Sequence, residues 1–404
     1  MSKITSLHRE NAFPRPLRLL QSWWNPWARL CCSVSISYHP GGANFPGSTM
    51  PGCTMLGEMM KVTLLLPILL AGVMVDQADA RERVAREQEV IDGGLDWLAN
   101  TQSRLGHWSA NGGNYPTAMT ALAGIALLSE GSTTTQGKYA PNIRAAVDYL
   151  LSDSRALSNG LIGDPVNDDR YTYGHGFAML FLSQVLGEEE DELRRRDLMN
   201  TLAHAVVFTG RAQTKAGGWG YKSAKEDNDF DEGSTTVTQV QGLRACRNAG
   251  VPVPREIIDK AVDYIHRCTT SEGGVRYQLR SSGDRGRPAI TAAAVACLFN
   301  AGEYGDKNVP KMLEFCQKNL SSINEQGFGH WHYAHYYYAQ VLYRQGGTKW
   351  SEYSKKIKSK IIEEARRDGD FHYWDQGYIG SVYTTAMNLT ILQLDNAALP
   401  IYQQ

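Results

Sequence analysis

An acidic loop stands directly before a helical segment that is rich in serine and threonine. The stretch AGGWGYKSAKEDNDFDEGSTTVTQV, residues 216–240, places Asp229, Asp231 and Glu232 close together. Clustered carboxylates raise one another's pKa, because like charges a few ångströms apart resist joint ionisation. Such a loop can keep a proton at neutral pH and donate it as a general acid.

The same loop can also be interpreted as a helix cap. The N-terminus of a helix carries roughly half a positive charge, which lowers the pKa of a nearby carboxylate. Ser234 or Thr235 is a natural N-cap residue, and the additional Glu226 and Asp227 are typical of a solvated loop. The residues alone leave both interpretations open.

A second polar group lies in the segment DPVNDDRYTYGHG. His175 stands there between two glycines at the start of a strongly apolar segment, although glycine weakens a helix. Close approach of a ligand would explain the glycines, and so would tight packing against a neighbouring helix. The candidate ligand-binding residues of this segment are Asp168, Asp169, Tyr171, Tyr173 and His175.

Six turns of similar sequence recur along the chain. The intervals between them are nearly equal, except that the last interval is shorter. Each turn carries a glycine, one spacer and a large apolar residue, and this internal repeat is the strongest feature of the sequence. An amphipathic helix is predicted before each turn, and a helix that is apolar on nearly every face is predicted after it. The glycines are Gly106, Gly160, Gly217, Gly273, Gly329 and Gly369.

The alternation of the two helix types predicts how the candidate residues are positioned. A helix that is apolar all round is buried, whereas one with a charged stripe lies at the surface. Six helices of each type predict an inner ring of parallel helices inside an outer ring, with every inner helix starting at the same end. No β pattern competes, so the predicted fold class is all-α, with residues 81–404 as one domain.

The spacing Q-x3-G-x-W occurs twice, as Gln102/Gly106/Trp108 and as Gln213/Gly217/Trp219. It resembles the repeat of squalene and oxidosqualene cyclases and of protein prenyltransferase β subunits. The closing segment VYTTAMNLTILQLDNAALPIYQQ is similar to bacterial prenyltransferase/squalene-oxidase-repeat proteins. The resemblance covers residues 88–404 and implies an α/α toroid, of the terpenoid cyclase and protein prenyltransferase type, with a central cavity.

The resemblance also implies roles for the acidic loop. Class II terpene cyclases carry an Asp-x-Asp-Asp motif whose middle aspartate protonates the polyene. This chain has Asp-Phe-Asp-Glu at the corresponding place, which implies Asp231 as the general acid and Asp229 and Glu232 as its neighbours. Prenyltransferase zinc sites need an Asp-x-Cys pair, which this chain lacks, so protein prenylation is disfavoured.

Aromatic residues are dense near the predicted starts of the inner helices. Aromatic faces stabilise carbocations, and they equally line sugar or lipid sites. His332 and His335 stand three apart on one helix face, as metal ligands can, but no carboxylate or thiolate is placed with them, so neither a metal nor another cofactor is predicted. The further candidate ligand-binding residues are Tyr277, Trp331, His332, His335, Tyr336, Tyr373, Trp374 and Tyr383.

The start of the chain differs from the rest. Residues 1–58 are predicted to be an over-extended or disordered N-terminal region. Residues 59–80 read as a secretory signal peptide, with a basic start, an apolar stretch and the cleavage site Ala78-Asp79-Ala80. The apolar stretch is too short for a comfortable membrane span. Export after cleavage near Ala80 is therefore predicted, to the periplasm or the cell exterior, with no integral span in the mature chain.

The charge of the chain limits the classes of function that it can have. The formal net charge of -1 argues against a nucleic-acid partner, because no basic face dominates. The leading hypothesis is a terpenoid-cyclase-like protein that binds, and could isomerise, a small apolar or isoprenoid-type ligand in the cavity. The alternatives are a secreted carbohydrate-active α/α-toroid enzyme and a non-catalytic binding scaffold. The sequence leaves open whether the protein is an enzyme and whether it forms oligomers.

Overall fold

The computed structural model describes residues 81–281, 285–320 and 330–402 of the chain. The N-terminal region predicted over residues 1–58 and the signal peptide predicted over residues 59–80 lie outside this described part. Within it, no helix is both long enough and apolar enough to cross a membrane.

The described residues form twelve α-helices of two alternating kinds. The even-numbered helices are buried on nearly every side, whereas the odd-numbered helices bury one face and expose charged residues on the other. The helices are α1 (81–101), α2 (Pro116–Ser129), α3 (Ala140–Leu151), α4 (Tyr171–Glu188), α5 (Glu192–Ala212), α6 (Gly233–Asn248), α7 (Arg255–Cys268), α8 (Pro288–Ala301), α9 (Val309–Leu320), α10 (Trp331–Gln345), α11 (Gly347–Glu363) and α12 (Ser381–Leu392). Short 3-10 helices cover Asn111–Gly113, Leu394–Asn396 and Pro400–Tyr402.

The six even-numbered helices close into a ring. Helix α2 packs against α4, and the contacts continue through α6, α8 and α10 to α12, which returns to α2. The odd-numbered helices pack on the outside, for example α3 against α2, α5 against α4 and α9 against α8. The predicted all-α double ring of six inner and six outer helices is therefore confirmed.

The inner helices begin at one end of the ring. The backbone N–H of Gly233, the first residue of α6, donates to the carbonyl oxygen of Tyr277 ahead of α8 at 2.8 Å. Likewise the N–H of Asn111, ahead of α2, donates to the carbonyl oxygen of Ile379, ahead of α12, at 2.8 Å. The segments that lead into neighbouring inner helices are thus tied together at this end.

The last described residues cover the opposite end of the ring. The N–H of Ile401 donates to Oε1 of Gln184 on α4 at 3.3 Å, and Ile401 is completely buried. The hydroxyl of Tyr402 lies 3.0 Å from the hydroxyl of Tyr336 on α10. The C-terminal segment is thus bonded to both α4 and α10.

Helix packing explains the glycines on both sides of His175. A Cβ atom on Gly174 would lie 2.9 Å from the Cβ of Thr117 on α2. A Cβ atom on Gly176 would lie 2.7 Å from the backbone carbonyl carbon of Thr238 on α6. Because interiors are close-packed, a larger residue at either position would push α4 away from its neighbours. Of the two explanations considered from the sequence, the structure shows tight packing.

The turn at Gly217 shows how an outer helix joins the next inner helix. Gly217 has a φ of +96°, and a Cβ atom there would lie 2.3 Å from the carbonyl oxygen of Lys260 on α7. Only glycine fits these two conditions. The side-chain amide of Gln213 donates to the carbonyl oxygens of Gly217 and Ile257, both at 2.9 Å, and so holds the turn against α7.

One short β element was not predicted from the sequence. Arg366–Asp368 and Phe371–Tyr373 form an antiparallel two-stranded hairpin, β1 and β2, within the all-α domain. Helix α11 ends at Glu363, and the exposed Arg-Arg-Asp strand has no apolar face with which to extend it. Gly369 has a φ of +63° and lies in the tight turn of the hairpin.

Candidate functional site

Asp231, which the resemblance implies as the general acid, faces the outer ring. Its side chain is buried, and Oδ1 accepts a hydrogen bond from the hydroxyl of Tyr264 on α7 at 2.7 Å. The backbone N–H of Leu279 donates to the same oxygen at 3.4 Å. Because Tyr264 belongs to an outer helix, Asp231 fastens the acidic loop to the outer ring and points away from the ring interior.

Asp229 shapes the acidic loop itself. Its Oδ1 accepts a hydrogen bond from the backbone N–H of Lys215 at 2.9 Å, and its Oδ2 lies 3.8 Å from the guanidinium of Arg280. The residue has a φ of +60°, a left-handed conformation that aspartate adopts more readily than most residues. These contacts account for Asp229 without a ligand.

Glu232 is the carboxylate of this loop that turns towards the inner helices. It is completely buried and is the N-cap of α6, where the N–H and hydroxyl groups of Ser234 and Thr235 donate to its oxygens. The cap is therefore Glu232 and not Ser234 or Thr235. Burial raises the pKa of Glu232, although the four donors oppose this effect. The charge of Glu232 also contributes, after burial, to the raised pKa of Tyr173 and Tyr221.

Tyrosine hydroxyls join three inner helices at the start of α6. The hydroxyl of Tyr173 on α4 bonds to the hydroxyl of Ser234, and the hydroxyl of Tyr333 on α10 donates to the backbone oxygen of Ser234 at 3.2 Å. The ring of Tyr337 packs edge-on against Tyr333 at 4.8 Å between centroids. Tyr173 and Tyr383 on α12 are half-buried, so both keep surface that a ligand could contact.

Two arginine–tyrosine pairs lie at the end of the ring where the inner helices begin. The guanidinium of Arg170 lies 4.7 Å from the ring centre of Tyr221, and that of Arg287 lies 4.5 Å from the ring centre of Tyr277. The hydroxyls of Tyr221 and Tyr277 bond to each other. These four residues are called the mouth below. Both arginines are exposed, and each guanidinium lies over the ring face of a half-buried tyrosine.

Two of the four residues of the mouth were missed from the sequence. Tyr277 was predicted, and Arg170 belongs to the polar segment DPVNDDRYTYGHG that the sequence pointed to, whereas Tyr221 and Arg287 were not predicted. The two arginines occupy the same place in the repeat, because Arg170 is the N-cap residue of α4 and Arg287 is that of α8. Tyr221 follows directly after the Gly-Gly-Trp-Gly turn. These positions are the signals that could have identified them.

The acidic pair ahead of α4 divides into a buried and an exposed residue. Asp168 is buried, its Oδ1 accepts a hydrogen bond from the N–H of Arg170 at 2.8 Å, and burial raises the pKa of Asp168 to about 6. Asp169 is exposed. The hydroxyl of Tyr171 donates to the carboxylate of Glu226 at 2.7 Å and so anchors the acidic loop on α4.

His175 fills a structural position that threonine occupies in other turns. In four turns a backbone N–H donates to a threonine hydroxyl on the following inner helix, whereas the N–H of Ile162 donates to Nδ1 of His175 at 3.0 Å. Nε2 of His175 lies 3.0 Å from the hydroxyl of Thr209 on α5, and burial lowers the pKa of His175 to about 4. The threonine pairs are Trp108–Thr120, Trp219–Thr236, Val275–Thr291 and Trp374–Thr385.

His332 and His335 point in different directions. Nδ1 of His335 lies 2.7 Å from the hydroxyl of Tyr353 on α11, and Nδ1 of His332 lies 3.3 Å from Oδ1 of Asn388 on α12. Burial lowers the pKa of His332 to about 4 and that of His335 to about 3, and Trp331 packs against both rings. In the described part of the chain, no group of three or more His, Cys, Asp and Glu residues could hold a metal ion.

Three further aromatic candidates pack within the protein. Tyr373 stacks on Trp97 of α1 at 5.3 Å between centroids. The indole N–H of Trp374 donates to the carbonyl oxygen of Ile361 on α11 at 2.8 Å, and Trp374 is completely buried. The hydroxyl of Tyr336 is bonded to that of Tyr402 in the C-terminal segment, and its ring packs edge-on against Tyr337. The structure therefore brings Tyr173 and Glu232 together beside Tyr221 of the mouth, through Ser234 and through the stacking of Tyr173 on Tyr221.

Solved structures of two kinds match the chain over most of its length. A variant of the α-1,6-mannanase GH76A of Salegentibacter sp. HEL1_6, in complex with α-1,6-mannotetrose, matches with a TM-score of 0.56 at 9 % identity, over 76 % of this chain and 98 % of that one. A variant of the type II terpene cyclase MstE from Scytonema, in complex with its product merosterolic acid A, matches with a TM-score of 0.53 at 15 % identity, over 80 % of this chain and 99 % of that one. The chain has the α/α-toroid fold.

Comparison at the level of sequence gives no match. No protein-family model matches the toroid, and no curated protein matches it. The α/α-toroid fold that the resemblance implies is confirmed. Since the toroid is similar both to a mannanase and to a terpene cyclase, the fold alone does not select the ligand.

Proposed function

We propose that the toroid binds an oligosaccharide that carries carboxylate groups, and that it does so at the mouth. The observation that carries the proposal is the pairing of two exposed arginines, Arg170 and Arg287, with the ring faces of Tyr221 and Tyr277. The C–H faces of a sugar ring are apolar and pack on aromatic faces. Guanidinium groups donate paired hydrogen bonds to carboxylates, which gives both energy and orientation.

The predicted location supports this ligand class. An exported protein meets polysaccharides outside the cytoplasm, and residues 59–80 have the form of a signal peptide. We therefore propose export with cleavage near Ala80. N-terminal sequencing of the mature protein tests this, and the expected first residue is Arg81. A mature chain that still begins at Met1 would contradict export by this signal.

Calorimetric titration of the full chain with trigalacturonic acid and with α-1,6-mannotriose tests the binding proposal. We expect the acidic sugar to bind more tightly, and we expect the Arg170→Ala/Arg287→Ala double variant to lose about a hundredfold or more in affinity for it, since each of the two lost charged bonds costs about 1.5–3 kcal/mol. Arg255→Ala is the matched control, because Arg255 is exposed on an outer helix and pairs with Asp259. Failure of both sugars to bind the unmodified chain would reject the proposal.

An isoprenoid-type ligand is the second candidate, and a specific observation favours it. Tyr173 and Tyr383 on the inner helices are half-buried, and the buried Glu232 lies close to Tyr173. Aromatic faces and a carboxyl group of raised pKa are what carbocation chemistry requires. On this alternative Glu232, and not Asp231, is the carboxylate on the inner side of the ring.

Mass spectrometry of ligands that co-purify with the full chain separates the two candidates. Recovery of an isoprenoid, together with no binding of either sugar, would favour the second candidate. The same recovery from the Asp231→Asn variant, with unchanged product, would exclude Asp231 as the acid. Ligand binding without any chemical conversion would leave the toroid as a binding scaffold.

A further inference from the structure

A continuous chain of hydrogen bonds leads from the mouth to a buried carboxylate. The hydroxyl of Tyr173 bonds to the hydroxyl of Ser234, which donates to Oε2 of Glu232 at 2.6 Å. Tyr173 and Ser234 are half-buried, whereas Glu232 has no exposed surface. The ring of Tyr173 also stacks on Tyr221 of the mouth, with 6.0 Å between centroids. Tyr173 is therefore the member of the chain that a ligand at the mouth can touch.

The direction of these hydrogen bonds follows from the groups themselves. An ionised carboxylate can only accept, so the hydroxyl of Ser234 donates to Glu232 and accepts from Tyr173. The oxygen of Tyr173 then keeps a lone pair with which to accept a proton from the ligand. The backbone N–H groups of Ser234 and Thr235 also donate to Glu232, which fixes the carboxylate at the end of the chain.

We propose that Tyr173, Ser234 and Glu232 form a proton relay that takes a proton from a hydroxyl group of a bound sugar. The O–H bond of the ligand breaks and its proton moves to the oxygen of Tyr173. In the same step the proton of Tyr173 moves to Ser234, and that of Ser234 moves to Glu232. The ligand becomes an oxyanion and Glu232 becomes neutral, so no proton enters or leaves the site.

The surroundings of the relay suit this transfer. Burial raises the pKa of Glu232, which makes its carboxylate a better proton acceptor than an exposed glutamate. Arg170, whose charge also acts on Tyr173, is placed to stabilise an oxyanion at the mouth. The neighbouring tyrosines ionise well above neutral pH because they are buried, so Glu232 is the member of this set that changes charge in the acid range. The titratable and charged groups that face the relay are Arg170, Tyr221, Tyr277, Tyr333 and Tyr337.

A nuclear magnetic resonance titration of the full chain, labelled with ¹³C at Cζ of tyrosine, tests the relay without a substrate. The Tyr173→Phe variant identifies the signal of Tyr173. We expect this signal to shift with pH at a midpoint above 4.5, the ordinary pKa of glutamate, because Glu232 titrates at the end of the chain. Ser234→Ala should reduce the shift by about threefold or more, since it breaks the chain but leaves the N–H groups that cap α6.

Two comparisons distinguish a proton relay from a purely structural role of Tyr173, Ser234 and Glu232. The signal of Tyr383, which is half-buried on another inner helix, should not follow the same titration. An equal shift of the Tyr173 signal in Ser234→Ala, or no shift in the unmodified chain, would overturn the relay. The identity of the ligand rests on the proposed function. Thus a normal titration with no response of Tyr173 to trigalacturonic acid would reject the sugar and leave the relay standing.

Discussion

The hydroxyl of Tyr264 and the carboxylate of Asp231 are joined at 2.7 Å across the gap between the outer and inner rings. Glu232, the next residue along the chain, turns the opposite way and caps an inner helix. The two adjacent carboxylates therefore bond to different rings of helices, Asp231 to the outer ring and Glu232 to the inner ring. This division shifts the expected chemistry from the aspartate to the glutamate.

Tyr264→Phe should lower the free energy of unfolding by about 1–3 kcal/mol, because the buried Asp231 loses its shorter donor. Denaturant unfolding measures this change. The control is Tyr304→Phe, because Tyr304 is half exposed and should tolerate the loss of its hydroxyl. Equal stability of the Tyr264→Phe variant and the unmodified chain would contradict the importance of this bond.

His175→Thr should make stability less dependent on pH. Burial lowers the folded-state pKa of His175 from 6.5 to about 4. The contribution of His175 to the free energy of unfolding is therefore complete above pH 6.5 and is lost as the pH falls towards 4. The loss amounts to at most about 3 kcal/mol, at about 1.4 kcal/mol per pKa unit. Thermal or denaturant unfolding between pH 7 and pH 4 should show a shallower decline for the variant. Identical slopes would show that His175 does not titrate as its burial requires.

Glu232 should contribute to the free energy of unfolding with a pH dependence opposite to that of His175, and Glu232→Gln should remove this contribution. Because burial raises the folded-state pKa of Glu232, its favourable contribution is complete below the ordinary value of 4.5 and is lost as the pH rises through the folded-state value. The unmodified chain should therefore lose stability relative to the variant between pH 4 and pH 7. Parallel unfolding series of the two proteins measure the difference, and a difference that grows in favour of Glu232 at higher pH would refute the raised pKa.

Gly217→Ala should destabilise the toroid more than Gly250→Ala does. Both glycines have a positive φ, of +96° and +88°, but a Cβ atom on Gly250 meets nothing within 4 Å, whereas one on Gly217 would lie 2.3 Å from the carbonyl oxygen of Lys260. Both variants bear the left-handed strain of about 1–2 kcal/mol, and only Gly217→Ala adds a clash with α7. Unfolding free energies of the pair give the comparison. Equal losses would mean that the turn at Gly217 can move away from α7.

The ring was predictable because burial follows directly from the pattern of apolar residues. Helices such as α2 and α8 are apolar on every face, and they form the inner ring for the reason that the pattern predicts. The hairpin after α11 was not predictable from apolar spacing, since its first strand is fully exposed. Its only local signal is the Asp-Gly pair at residues 368 and 369.

The candidate site was predictable only in part, because side-chain direction depends on backbone conformation. Glu232 is extended, with φ of -152° and ψ of 153°, so it and Asp231 project to opposite sides. The spacing of acidic residues carries no information about this conformation. The role of His175 could have been found by aligning it with the threonines of the other turns, such as Thr236, which receive the same backbone bond.

Binding of a sugar at the mouth is tested most directly by a crystal structure of the full chain with trigalacturonic acid. We predict a sugar ring packed on the face of Tyr221 or Tyr277, a carboxylate bonded to Arg170 or Arg287, and a hydroxyl within hydrogen-bond distance of Tyr173. A ligand bound elsewhere on the toroid, or an isoprenoid held against Tyr173 and Tyr383 in place of the sugar, would contradict the account.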